Sequence, residues 1–218
     1  MNGTANSGSG MVQTVFIVDD DPSIREGLAN LLESFGILTE TYPSAEAFKD
    51  GWSREDAGCL LLDVRLPGMS GVAFQEQMRA KGIKLPIVFM TAHGDIPMVR
   101  KVMKAGAIEF LTKPFQREEL LKAIREAFAL DRTRREEDDN LRSVRTRIEL
   151  LSPREREVMA MVTAGLLNKQ IAAELNLSEI MVKTHRRHMM EKMQADSLAE
   201  LVKLCERVQE PASRGRFH

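Results

Sequence analysis

The chain has 218 residues, enough for one large domain or two small ones, and 43% hydrophobic with 29% charged residues is the balance of a globular protein. A formal net charge of -1 excludes a generally basic nucleic-acid binder, so any DNA contact must come from a local cationic surface. No apolar run approaches the roughly 18–20 residues that span a bilayer, and Cys59 and Cys205, set in apolar segments of different halves, argue for a reducing, cytoplasmic setting without a structural disulfide.

Residues 1–10 are mostly Gly, Ser, Asn and Thr with no hydrophobic stretch; they read as a disordered tail, not a secretory signal. Residues 11–130 alternate short β-branched runs with amphipathic stretches. Strands are expected at 14–18, 38–42, 58–62, 86–90 and 107–111, and helices at 22–35, 44–50, 70–81, 95–105 and 116–130. Such alternation implies crossover units and a parallel sheet. The runs Cys59–Leu62 and Ile87–Met90 are apolar without alternation, as in strands covered on both faces. Asp21-Pro22 supplies a helix start, and Pro67-Gly68 with Ser70-Gly71 punctuates the loop after Asp63.

Residues 131–139 are nearly all charge and the stretch 131–147 contains neither Pro nor Gly, which predicts a mostly helical linker whose charges form a solvated face. From 148 to 210 strand signals disappear. Ser152-Pro153-Arg154-Glu155 is a helix start, with Ser as cap and Glu three residues later. Helices follow from there to Thr163, from Asn168 to Leu175, from Glu179 to Met193 and from Ser197 to Val208. Residues 211–218 read as a disordered tail.

Chemistry concentrates where the strand-like runs stop. Asp19, Asp20, Asp63, Thr91 and Lys113 all stand at such ends. In an open parallel sheet, ligands bind at the carboxyl ends of the strands. Taken singly, an Asp there is often a helix cap, and a lone Thr or Lys carries no message. Together they would gather carboxylates, a hydroxyl and an ammonium at one edge, a site for a divalent cation and a phosphoryl group. Asp19 and Asp20 are adjacent like charges that a hard cation such as Mg²⁺ would neutralise. Asp63 is a candidate nucleophile toward phosphorus. Thr91 and Lys113 could bind phosphoryl oxygens.

In the C-terminal part, Ile171, Ala172, Leu175 and Leu177 can bury one helix on the next. On 179–193, Val182, His185, Met189 and Met193 share one face, with His185 read as a core histidine, while Lys183, Thr184 and Arg187 share another. A basic polar face of this kind suits the major groove, and Lys169, Arg186, His188 and Lys192 could add phosphate contacts. On a helix alone such residues also fit a merely solvated face.

The motifs Val18-Asp19-Asp20-Asp21, Leu62-Asp63 with Pro67-Gly68-Met69-Ser70-Gly71, Thr91-Ala92 and Lys113-Pro114-Phe115 resemble the receiver domain of two-component response regulators. Leu151-Ser152-Pro153-Arg154-Glu155-Arg156-Glu157-Val158, Gly165, Asn168-Lys169-Gln170-Ile171-Ala172 and Val182-Lys183-Thr184-His185 resemble the DNA-binding domain of LuxR/NarL-type regulators. Thr91–Asp95 with Ile96-Pro97-Met98 is similar to the FixJ-type branch. The resemblance implies a flavodoxin-like, doubly wound parallel α/β sheet of five strands in the order 2-1-3-4-5, followed by an all-α four-helix helix–turn–helix domain. It implies that Asp63 accepts a phosphoryl group from a sensor histidine kinase. Mg²⁺ would be held by Asp19, Asp20, Asp63 and the backbone carbonyl of Arg65. Lys113-Pro114 would be cis, and Phe110 would act as a switch coupled to Thr91.

A phosphorylation-dependent transcription regulator, an activator working with RNA polymerase, is the expected function, with homodimerisation on phosphorylation. Met98, Val99, Val102 and Met103 are expected at the dimer contact, as is the stripe Leu198-Leu201-Leu204. Arg65 and His93 would flank the phosphate and slow its hydrolysis. The chain is expected not to be an enzyme beyond slow autodephosphorylation. A haloacid-dehalogenase-type phosphatase would need a second Asp two residues after the nucleophile, and position 65 is Arg. The alternative is a regulator that binds DNA or protein partners independently of phosphorylation.

Overall fold

A computed structural model describes residues 12–92 and 96–209. The chain divides into two compact units between Arg134 and Arg135. In the first, β1 (Thr14–Val18), α1 (Pro22–Glu33), β2 (Leu38–Tyr42), α2 (Ala45–Gly51), β3 (Gly58–Asp63), α3 (Gly71–Ala80), β4 (Ile87–Thr91), α4 (Ile96–Lys104) and β5 (Glu109–Thr112) alternate, followed by α5 (Arg117–Glu149). The five strands are parallel in the order β2-β1-β3-β4-β5, so strand order reverses between β1 and β3.

Every residue of β3 and β4 is buried, because the period-two alternation of strand side chains meets helices on both faces. Phe16, Val18, Leu60, Leu62 and Phe89 pack with Phe48 of α2, Phe74 and Met78 of α3 and Val102 of α4. Val15, Ile17, Cys59, Leu61, Val88, Met90 and Leu111 pack on the other face with Leu28 and Leu32 of α1 and Leu120 and Ile124 of α5. The edge strands are less covered: β2 has no buried residue, and in β5 only Leu111 is buried.

Three expectations for the first unit need correction. The last strand starts at Glu109, not at 107, because the Ala107 amide turns back to the Val102 carbonyl and closes the end of α4. Val102 is a core residue and is no part of a dimer surface, although Met103 is exposed. The charge run after residue 130 is not uniformly solvated. Asp131 is fully buried: it accepts a hydrogen bond from the Gly58 amide at 2.9 Å and from Arg134 at 3.0 Å. Gly58 begins β3 at φ +146°, and a Cβ there would lie 1.8 Å from the Thr14 carbonyl oxygen, so the position admits only glycine. Asp131 answers the amide of that close-packed strand start.

The second unit contains the end of α5, then α6 (Pro153–Thr163), α7 (Asn168–Leu175), α8 (Glu179–Met193) and α9 (Leu198–Gln209). Ser152 and Glu155 form the expected capping box, and Ser178 caps α8. Asn176 and Gln194 end α7 and α8 in the left-handed conformation. The core joins Val144, Val158, Val162, Ile171, Ala172, Val182, Met189, Met193 and Leu201, with Leu175 and Leu177 packed against it. In the Leu198-Leu201-Leu204 stripe, Leu201 is fully buried within its own unit, Leu204 packs against the core and Leu198 remains exposed. Leu201 is therefore core rather than contact surface. Both cysteines are buried and free.

Candidate functional site

At the carboxyl edge of the sheet, Asp19 directly follows β1, Asp63 ends β3, Thr91 ends β4 and Lys113 directly follows β5. Asp19 and Thr91 are fully buried, while Asp20 is exposed. Oxygens of Asp19, Asp20 and Asp63 all lie within 4.8 Å of one another. Lys113 Nζ bridges the two inner carboxylates, at 2.5 Å from Asp19 Oδ2 and 3.0 Å from Asp63 Oδ2. The Lys113-Pro114 peptide is cis. Thr91 stands one residue beyond Met90, the register partner of Asp63.

Backbone donors complete the arrangement. The Asp21 amide donates to Asp19 Oδ1 at 3.0 Å, and the Arg65 amide donates to Asp63 Oδ1 at 3.1 Å. Asp21 caps α1 through the Ser23 amide, as the Asp-Pro signal implied. Arg25, one turn along α1, donates to the Asp19 carbonyl at 2.7 Å. Sequence reasoning did not single it out, though its spacing from Asp21 puts it on the same side of the helix. In sequence Gly71 reads as punctuation only, yet a Cβ there would sit 2.4 Å from the Asp63 carbonyl oxygen. Its lack of a side chain lets the first turn of α3 press against the backbone of Asp63.

Burial raises the Asp63 carboxyl above its ordinary pKa; the Arg65 amide and the Lys113 ammonium work against this, and the charge of Asp19 adds to it. For Lys113, burial opposes the charge, but the hydrogen bonds to Asp19 and Asp63 outweigh it and raise its pKa. Lys113 therefore stays cationic. Three oxygen-bearing acids this close, one open to solvent, form a donor set suited to a hard divalent cation. Phe110 pairs with Phe89 in the sheet and is half-buried against the core. Arg65 is exposed, and His93 lies outside the described residues.

On α8, Val182, Met189 and Met193 are buried and His185 is half-buried, whereas Lys183, Thr184 and Arg187 are exposed. Lys169, near the start of α7, is also exposed. Two further cations are drawn into the unit itself. Arg186 donates to Asn168 Oδ1 at 3.1 Å, and Lys192 pairs at 2.7 Å with the buried Glu155 carboxylate. His188 is half-buried, 3.3 Å from Arg187. Among the described residues no helix is long and apolar enough to cross a membrane.

The response regulator receiver domain family matches residues 15–125, and the bacterial regulatory proteins of the luxR family match residues 149–205. Nodulation protein W of Bradyrhizobium diazoefficiens is 47% identical over 192 residues, 88% of this chain and 85% of that protein. The transcriptional regulatory protein FixJ of Azorhizobium caulinodans is 40% identical over 88% of this chain and 90% of its own length. The solved structure of the response regulator StyR superposes with a TM-score of 0.82 at 49% identity, covering 89% of this chain and 98% of that one.

Proposed function

From the premise that this chain belongs to the FixJ-type response regulators, which join a receiver domain to a LuxR-type DNA-binding domain, we propose that Asp63 is its phosphoryl acceptor and α8 its DNA reader. The chain is a phosphorylation-dependent transcriptional regulator by its family, not an enzyme of the ordinary kind. The receiver spans 11–130, the linker 131–147 and the DNA-binding domain 148–210.

A sensor histidine kinase supplies the group as a phosphohistidine. An Asp63 oxygen attacks phosphorus, the P–N bond breaks, and the imidazole leaves with its electron pair and takes up a proton. Little covalent chemistry falls to the protein, so positioning and charge carry the step. Mg²⁺, held by Asp19, Asp20, Asp63 and the Arg65 carbonyl, would supply charge neutralisation to the acidic cluster and the incoming group. Lys113 contributes a fixed cation beside Asp63. Thr91 offers its hydroxyl to a phosphoryl oxygen, and Phe110, on the neighbouring strand, follows it inward. Arg65 and His93 shield the acyl phosphate from water, and slow autodephosphorylation is the only turnover.

The observation that carries this reading is the Lys113 bridge between Asp19 and Asp63, because it fixes a cation at the only acid that ends the central strand. Rearrangement of the α4–β5–α5 face then favours a homodimer, in which Met98, Val99 and Met103 take part. Two linked readers gain a two-fold promoter site through effective concentration, with Lys183, Thr184 and Arg187 at base edges and Lys169 and His188 toward phosphates. Bound there in the cytoplasm, the dimer recruits RNA polymerase as an activator. Incubation with a labelled autokinase tests the acceptor. An acid-stable but hydroxylamine-labile label on the wild type, absent from Asp63→Asn, is expected; label retained by that variant would refute the assignment.

A further inference from the structure

The reading helix carries an apolar side chain where a solvated helix would be polar. Ile180, the second residue of α8, is 76% exposed. Val182, Met189 and Met193 mark the buried direction of this helix. At about 100° per residue, Ile180 lies roughly opposite them. Lys183, Thr184 and Arg187 continue its stripe at spacings of three, four and seven residues, and all are exposed. Met181, 48% exposed, stands beside it. Thr184 Oγ1 donates to the Ile180 carbonyl at 3.0 Å, so its hydroxyl proton is committed within the helix.

A lone exposed apolar residue is ordinary on a protein surface and by itself needs no function. Ile180 differs in its setting. A β-branched residue adds little helix propensity at an exposed position, and this one adds no packing to the core. It occupies the first turn, the part of a reading helix that meets base edges. Cations on its own stripe would bring that face against a polyanion. The apolar feature that the major groove presents there is the C5-methyl group of thymine.

We propose that Ile180 is a specificity-determining residue that packs on a thymine methyl group in each half-site. This rests on α8 being the DNA reader. The full chain, activated with beryllofluoride and Mg²⁺, would select duplexes from a random library; matched duplexes are then made with thymine or uracil at single positions. The wild type is expected to enrich a thymine position at which uracil weakens binding roughly fourfold per methyl. Ile180→Ala should lose about as much on the thymine duplex and nothing further on uracil, the coupling expected of a direct contact. Ile180→Val should retain most of the discrimination. The inference is overturned if no enriched thymine is sensitive to its methyl, or if Ile180→Ala still discriminates thymine from uracil. Enrichment of no sequence at all would overturn the DNA-reading assignment itself, and this inference with it.

Discussion

Replacing Asp131 by Ala should destabilise the first unit more than any other single change in the charge run. The carboxylate is fully buried and accepts from the Gly58 amide at 2.9 Å and from Arg134 at 3.0 Å. Its loss leaves the Gly58 amide at a close-packed strand start where water has poor access, a penalty of about 1–3 kcal/mol. Arg134, with 21% of its side chain exposed, can turn toward solvent, so its lost partner adds only about 0.5–1 kcal/mol. Asp131→Ala should therefore cost roughly 1.5–4 kcal/mol, and Asp131→Asn, which keeps an acceptor of the same size, about 1 kcal/mol. The sole tryptophan, Trp52, stacks on Phe48 within this unit, so urea unfolding followed by its fluorescence reports the unit directly. A midpoint for Asp131→Ala indistinguishable from the wild type, at equal slope, would refute the reasoning.

Other perturbations read different parts. Burial alone would raise the Glu155 carboxyl, but the Lys192 ammonium and the Ser152 amide overcome it and lower its pKa below the ordinary 4.5. The stability it contributes is present above that value and is lost as pH falls through the depressed one. Far-UV circular dichroism during urea unfolding should show Glu155→Gln less stable than wild type at about pH 7, with the gap closing in acid. A gap that stays constant down to acid unfolding would contradict the assignment. Gly71→Ala pushes a methyl into the Asp63 carbonyl, which lies 2.4 Å from the Cβ position; phosphoryl acceptance should fall at least about tenfold, read by initial labelling rate. Lys183→Ala should lower the slope of log affinity against log salt by about 1, whereas Lys192→Ala should act chiefly on unfolding because its ammonium is engaged with Glu155.

Much of this molecule was legible beforehand because its strands are covered on both faces and so stand out as unbroken apolar runs, as in β3 and β4. The end of such a run locates Asp63 and Thr91 to the residue. The Ser152 cap with Glu155 likewise declared the start of α6. Burial and long-range partners within charged stretches are what local sequence does not show. Asp131 looks like one more solvated acid, yet Leu120, Ile124, Ala127 and Asp131 recur at spacings of four, three and four and are all fully buried. That stripe is the available signal, and the charge at its last position masks it. The partners of Lys192 and Arg186, Glu155 and Asn168, belong to other helices, so no local spacing announces these contacts. The apolar face of an amphipathic helix does not say what covers it; for Val102 it is the core, not a dimer partner.

The central claim, that a phosphoryl group on Asp63 governs DNA binding by the other unit, is tested most directly by affinity for one promoter-derived duplex with and without acetyl phosphate and Mg²⁺. Wild type should tighten by about tenfold or more on phosphorylation, the range of ordinary coupling between sites, while Asp63→Asn stays at the unphosphorylated value. Equal affinity of phosphorylated and unphosphorylated wild type, or tightening that persists in Asp63→Asn, would contradict the account.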